Sequence, residues 1–458
     1  MTHCIKKNVM NQIISLRIRF AQVQGLPFND ILSKDDLCGI IQEEAGRFRD
    51  RVYSPVVTLT TFLSQILSAD HCCREAVSKV IAARIAQGQD ICSFNTGPYC
   101  KARQRLSRKF LIRLLLRSGQ NLHEATIKFW NWKGRSVKLI DGTTLSMPDT
   151  KENQKSYPQS KAQKPGLGFP KIRLVAMLSM SCGALIHFAA GPCRGKNTGE
   201  HALLRQILDA LSPNDVLLGD RYFGTYFLIV ELRQRKADGL FRLHASRKDL
   251  APQGTKKLNK DHLVVWTKPQ RPAWMDEKTY QSMPGELTLR QTKIKGKTFI
   301  STFLDFKKVT RQELAQLYTQ RWFIEIDLRS IKTVLQMDIL RCKTPEMIIK
   351  EIIVHLLAYN LIRTIMAQAA YRHQTHPRSI SFKATVQLLN AFAPIILLTS
   401  QRTWPLLYHG LLASAVLQRV GNRSGRFEPR ALKRRLRQFA LLTQPRSIMR
   451  NRLSKYYA

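Results

Sequence analysis

Between residues 136 and 244 the chain alternates short apolar runs with amphipathic stretches, in an order that few folds accommodate. Runs at 137–140, 172–180 and 184–190 read as strands, the last two joined as a hairpin at Ser181-Cys182-Gly183. Thr198 precedes a helix reaching about residue 211, with Glu200 in its first turn, where an acid suits the positive end of the helix dipole. A buried-looking strand at 216–218, a helix at 226–235 and a fifth strand at 240–244 complete the series. Three strands, a helix, a strand, a helix and a strand predict an α/β sheet of mixed direction.

Two of these strands end in aspartate, VKLID at Asp141 and VLLGD at Asp220. Neighbouring strands lie about 4.8 Å apart, so if these two are neighbours their carboxylates converge at one sheet edge. A lone Asp at a strand end more simply serves a turn. A third acid lies in residues 318–332, YTQRWFIEIDLRSIK, which contain neither Pro nor Gly and read as one helix. At about 100° per residue, Tyr318, Arg321, Glu325 and Lys332 fall within a narrow arc. Leu317, Ile324, Leu328, Ile331 and Leu335 form an apolar stripe roughly 70° around the same cylinder. Alone, such a helix is a surface helix with stabilising charge neighbours.

Beside two strand-end aspartates, a carboxylate flanked by two cations and a phenol suits a metal ion and a phosphate. Three hard oxygen ligands, completed by water and phosphate oxygens, is how Mg²⁺ is usually held. Two ions about 4 Å apart activate an attacking oxygen and stabilise a leaving one. Arg321 and Lys332 would then neutralise phosphates, Arg in a bidentate manner. Arg221, next to Asp220, points at DNA or pairs with a loop acid. Asp149 more simply belongs to the polar loop after Asp141, Asp215 to a turn, and Glu200 to its helix start. His187, His201 and His244 lack ligand spacing.

The net charge is +42, with 74 Lys and Arg against 32 Asp and Glu, and an excess of that size needs a polyanion, by default nucleic acid. An anionic membrane is the weaker alternative, because no uninterrupted apolar run reaches about 18 residues. The most apolar stretch, 347–366, is broken by Lys350, Glu351, His355 and Arg363. The N-terminal residues carry no secretory signal. The nine cysteines include no C-x-x-C pair, which indicates neither a zinc site nor a disulfide framework and suits a reduced cytoplasmic compartment.

Five regions follow. Residues 1–130 read as a helical region, with a basic helix at 99–117 whose Lys101, Arg103, Arg105 and Arg108, followed by Lys109, Arg113 and Arg117, neutralise phosphates along a duplex. Residues 131–248 and 301–374 form the two parts of the sheet-and-helix core, the second ending in a long, largely buried helix at 346–370. Residues 249–300 are a β-rich insertion. Its Trp266 and Trp274, set among Lys and Arg, either stack on unpaired bases or fill a small β core. Residues 375–458 are helical and basic, and the stretch 423–455, with Glu428 its one acid, reads as a mobile arm on DNA.

The spacing Tyr318-x2-Arg321-x3-Glu325-x6-Lys332 matches at every position the signature of the DDE transposases of bacterial insertion sequences, specifically the IS-four family, which the chain resembles over nearly its whole length. DGTTLSMPDT at Asp141 and LLGDRYF at Asp220 look like that family's two aspartate motifs, and PGLGFPKIRL, GKNTGEHALL and YCKARQRL look like further family segments. The resemblance implies an RNase H-like catalytic core, a β-rich insertion before the glutamate, and an N-terminal region that binds transposon ends. It implies Asp141, Asp220 and Glu325 as catalytic metal ligands for Mg²⁺ (Mn²⁺ as a substitute), with Tyr318, Arg321 and Lys332 on phosphates near the cleaved end. It further implies a cut-and-paste reaction at terminal inverted repeats by two protomers. A metal-dependent nuclease without joining, or a non-catalytic DNA-binding regulator, is the alternative.

Overall fold

The computed structural model describes residues 34–44, 52–86, 88–244, 256–258, 261–399, 402–421 and 442–457. Five helices open it: α1 (Lys34–Glu44), α2 (Pro55–Leu67), α3 (Cys73–Ala86), α4 (Gly97–Arg105) and α5 (Arg108–Ile127). Ser54 caps α2, its side chain accepting the Val57 N–H, with Pro55 at the first position. The expected single helix at 99–117 is two helices, because Leu106 is extended and Ser107 caps α5 by accepting the Phe110 N–H. The break corrects one DNA-binding expectation. Arg103 is buried, donating to Gln65 at 3.2 Å, to Cys73 at 3.4 Å and to Cys100 at 3.5 Å, over the rings of Phe62 and Tyr99. It ties α2, α3 and α4 together and is not on the surface. Lys101, Arg105 and Arg108 are exposed.

The core's strands and its later helices follow in the anticipated order, with a short helix added in the expected polar loop: β1 (Val137–Ser146), α6 (Lys151–Ser156), β2 (Lys171–Ser179), β3 (Leu185–Pro192), α7 (Glu200–Arg205), β4 (Val216–Gly219), α8 (Tyr226–Gln234) and β5 (Asp238–Arg242). β1, β2 and β3 form an antiparallel meander, while β4 lies parallel to β1 and β5 parallel to β4. This is the mixed α/β, RNase H-like arrangement. Gly119 lets α5 lie directly on β3, since a Cβ there would stand 1.8 Å from the carbonyl oxygen of Leu185.

The sheet does not stop at five strands. The insertion supplies β6 (Lys256–Leu258), β7 (Asp261–Thr267), α9 (Glu277–Gln281), β8 (Glu286–Ile294) and β9 (Lys297–Ser301). β9 pairs antiparallel with β5, giving one nine-stranded sheet of order β3-β2-β1-β4-β5-β9-β8-β7-β6. Strands fill most of the described part of 249–300, and they extend the core sheet, covering what would otherwise be an open edge of unpaired backbone groups on β5. Trp266 is buried with Met275, Met283 and Leu287 in the core that also holds Phe223 and Tyr226, so the base-stacking expectation fails for it. Trp274 keeps 36% of its surface exposed, with the Arg205 guanidinium 3.6 Å above its ring.

Helices close the chain: α10 (Arg311–Thr319), α11 (Trp322–Arg329), α12 (Pro345–Arg372), α13 (Phe382–Leu398), α14 (Trp404–Leu417) and α15 (Arg446–Tyr457). α12 is long and apolar enough to cross a membrane, yet its apolar window is wholly buried inside the protein. Several of the polar residues on it are paired there, as buried polar groups usually are. Lys350 donates to the Gln104 carbonyl at 2.7 Å, Glu351 accepts the backbone N–H groups of Arg341 and Cys342, and Asn360 accepts the Leu185 N–H at 2.8 Å. Residues 422–441, most of the anticipated basic arm, lie outside the described residues.

Candidate active site

The register of the sheet sets the two aspartates. Val137 pairs with Val216 and Leu139 with Leu218, so two residues further on Asp141 stands level with Asp220. β1 does not end there, as its sequence suggested. It runs on to Ser146 because β2 still flanks it, with Asp141 opposite Ala176 and Gly142 opposite Val175. Asp141 therefore sits in mid-strand, where β4 has just ended. Its carboxylate accepts the Gly142 N–H at 2.8 Å, and that of Asp220 accepts the Tyr222 N–H at 2.8 Å. Burial pushes the Asp141 carboxyl up to about 6. The Gly142 N–H and Arg321 oppose the rise, and the negative charges of Asp220 and Glu200 add to it.

The third acid is carried differently. Residues 318–332 are not one helix. Gln320, Arg321, Phe323 and Ile324 donate three residues back, a tight turn between α10 and α11. A π-helical turn, Ser330–Val334, follows α11, with Leu335 donating five residues back to Ser330. The apolar stripe survives both irregularities: Leu317, Ile324, Leu328, Ile331 and Leu335 are all buried. Tyr318, Arg321 and Glu325 lie half-buried along its edge, and Arg321 Nη2 donates to Glu325 Oε1 at 2.6 Å. Tyr318 packs its ring edge-on against Phe299. Lys332 rides on the π turn beyond α11, so its position depends on a geometry that a regular helical wheel misses. Arg221 is exposed directly after Asp220.

One residue of this region escaped the sequence reading. Asp327, two positions after Glu325, is fully buried and ion-paired with both Arg363 of α12 and Arg378, the latter at 2.7 Å. Arg378 also donates to the carbonyls of Ser179 at 2.6 Å and Met180 at 2.9 Å. An acid inside a helix that also carries exposed charges gives no signal of burial. Only the two distant arginines reveal it. This network ties α11 to the end of β2 and so fixes where Glu325 stands. On the sheet side, a buried pair of Lys138 with Asp215, at 2.7 Å, links β1 to the start of β4.

Glu200 was read only as a helix-start acid. The structure sets its carboxyl over Gly142: a Cβ on Gly142 would lie 2.5 Å from Glu200 Cδ. Asp149, by contrast, accepts from Gln154 of the short helix α6 that follows it.

Whether these residues suit divalent cations is decided by the donor set. Asp141 and Asp220 stand level on adjacent strands, and Asp141 feels the charges of Asp220 and Glu200; hard carboxylate oxygens of this kind suit a hard divalent ion. Among the described residues, however, no three His, Cys, Asp or Glu side chains stand closely enough to hold a metal as they are. Glu325 is held by Arg321.

Residues 132–361 match the family described as the transposase DDE domain, half of the chain. A transposase of the insertion sequence element IS4, InsG of Escherichia coli strain K12, is 29% identical over 347 residues, covering 73% of this chain and 76% of that protein. A solved structure, the piggyBac transposase in a synaptic complex with hairpin DNA, aligns over 86% of this chain and 82% of that one, at 10% identity and a TM-score of 0.44. The matched segment contains Asp141, Asp220, the sheet that positions them and the helix of Glu325, and the chain belongs to the DDE-domain transposases, enzymes that cleave DNA and move it.

Proposed function

We propose that this transposase cuts DNA at the inverted-repeat ends of an insertion sequence and joins the freed 3′ ends to target DNA, by a cut-and-paste route. In this reading Asp141, Asp220 and Glu325 hold two divalent cations, Mg²⁺ or Mn²⁺. The observation that carries it is the β1–β4 register, which sets Asp141 level with Asp220 beside the Arg321–Glu325 pair. Bound there, divalent cations would acidify an attacking water and stabilise the departing oxygen.

The chain's own residues do the rest. Asp141 and Asp220 present oxygens from fixed backbone positions. Arg321 exchanges Glu325 for a phosphate, which its planar fork fits in a bidentate manner. Glu325, released, turns its carboxylate toward the aspartates. The Tyr318 hydroxyl, the Lys332 ammonium and exposed Arg221 contact phosphates flanking the cut. Lys101, Arg105 and Arg108 hold DNA further along by charge. Two copies act together because an element has two ends, and the reaction takes place on DNA in the cytoplasm.

The test is incubation of labelled DNA carrying the element's ends with the protein and Mg²⁺, beside Asp220→Asn. Wild type gives end cleavage and a joined product, and the variant gives neither. Nicking without a joined product means a nuclease, and no metal-dependent cutting by wild type overturns the reading.

A further inference from the structure

We propose that Cys100 and Cys73 form a peroxide-reactive thiol pair, in which Cys100 is the nucleophile and Cys73 the thiol that closes a disulfide onto it. The inference is independent of the metal site.

The pair is built around a buried cation. Arg103 is buried among α2, α3 and α4, and among the described residues no carboxylate pairs with it. Its planar fork is spent on Gln65 Oε1, 3.2 Å from Nη1, and on two sulfurs: Nη2 stands 3.4 Å from Cys73 Sγ and 3.5 Å from Cys100 Sγ. One nitrogen thus gathers both sulfurs, and the two thiols hydrogen-bond one another. Glu351 feels the charge of Arg103, but its carboxylate is taken by the N–H groups of Arg341 and Cys342 and by the Cys342 thiol. The neighbouring phenols of Tyr53 and Tyr99 are kept protonated by burial. A buried guanidinium without an anion is costly, and of the groups Arg103 touches the two sulfurs are left to supply the charge.

The surroundings place that charge on Cys100. It lies in the first turn of α4, near the positive end of the helix dipole and three residues before Arg103. Cys73 accepts from Gln65 Nε2 at 3.5 Å and gives its own S–H to Cys100. The hydrogen bond from Cys73, with the charge of Arg103, holds the Cys100 thiol down to about 5 against the effect of burial. The same hydrogen bond, with burial, pushes the Cys73 thiol up. Neither cysteine is fully buried, which leaves a small hydroperoxide a way in.

The chemistry closes on these groups. The Cys100 thiolate attacks one oxygen of hydrogen peroxide, the O–O bond breaks, and the departing hydroxide takes up a proton to leave as water. Cys100 is oxidised by two electrons to a sulfenic acid as the peroxide is reduced. The Cys73 sulfur then attacks the Cys100 sulfur, the S–O bond breaks, and the hydroxide leaves with the Cys73 proton as a second water. The resulting bond joins the first turns of α3 and α4, and α4 carries the exposed Lys101 and Arg105.

The experiment uses the full chain, first reduced and pulsed with iodoacetamide at pH 8 and pH 6, with labelling read cysteine by cysteine by peptide mass. Cys100 should slow by less than about threefold between the two, whereas an ordinary thiol near pKa 8.5 slows about tenfold per pH unit. Hydrogen peroxide at pH 7 should then give a Cys73–Cys100 disulfide as the first product. In Cys73→Ser the same treatment should leave a sulfenic acid on Cys100, captured by dimedone. Labelling of Cys100 that slows like an ordinary thiol overturns its role as nucleophile. A first disulfide between any other two cysteines, or none at all, overturns the pair, as does a sulfenic acid forming elsewhere in Cys73→Ser. The wild-type results decide the matter if that variant fails to fold.

Discussion

Asp141 and Asp220 are placed by a backbone ladder, whereas Glu325 is placed by a helix interrupted on both sides, at Gln320 and Arg321 and again at Ser330–Val334. In the sheet, register alone fixes where the carboxylates stand, because a slip of one residue would send every side chain to the opposite face. On the helix, position depends on side-chain anchors. The apolar stripe presses α11 inward, the Asp327 network ties it to the end of β2, and the Arg321 pair holds the glutamate itself. The sheet half is therefore set before any ligand arrives. The helix half carries a movable bond within its own signature, Arg321 to Glu325, which phosphate can exchange.

The contrast is broken most severely at Asp327. Asp327→Ala leaves Arg363 and Arg378 buried without their acid, and the loss in unfolding free energy should be about 3–5 kcal/mol in a urea titration. Asp141→Asn removes a half-buried carboxylate whose charged form is disfavoured, so its stability should equal or exceed wild type. Equal destabilisation by both changes would mean that the sheet half is also held by its charges.

A smaller effect sharpens the sheet side. His123 is buried beneath it, bonded to Ser179 and Ser136 at 2.8 Å each, and burial, aided by Lys138, lowers its pKa to about 4. The unfolded chain takes up this proton below about 6.5, while the folded protein resists until about 4. The stability that His123 contributes is thus complete above about 6.5 and is lost as pH falls toward 4, by up to about 3 kcal/mol. His71, lowered to about 4, and His355, lowered to about 3, act in the same sense. His123→Gln should therefore flatten the acid limb of a stability–pH profile by up to one bound proton. An unaltered slope would contradict the assignment.

Sequence pattern revealed the sheet half well. Short continuous apolar runs separated by turns and helices encode an α/β core in a local way, and Asp141 and Asp220 are legible because each follows such a run. The exact strand end was not, since β1 continues through Asp141 on account of its partner β2, a long-range cause. The helix half was legible in its apolar stripe and its four polar residues, but not in its breaks, because propensity favours an uninterrupted helix there and tertiary packing overrides it. Arg103 misled, and Trp266 stayed open between two readings, for one shared reason. Both residue types serve nucleic acid when exposed and cores when buried, and only the fold decides which. Glu200 does open its helix, but its closeness to Gly142 was not legible, because glycine has no side chain to mark the contact.

The most direct test of the central claim is end cleavage in Mg²⁺ by Glu325→Gln beside wild type, on labelled DNA carrying the element's ends. The substitution keeps the shape and removes the charge. If Glu325 completes a site begun by the sheet, cleavage should fall by about a hundredfold or more, while the protein still binds the DNA. Equal cutting by the two proteins would contradict the claim and place the chemistry away from the helix.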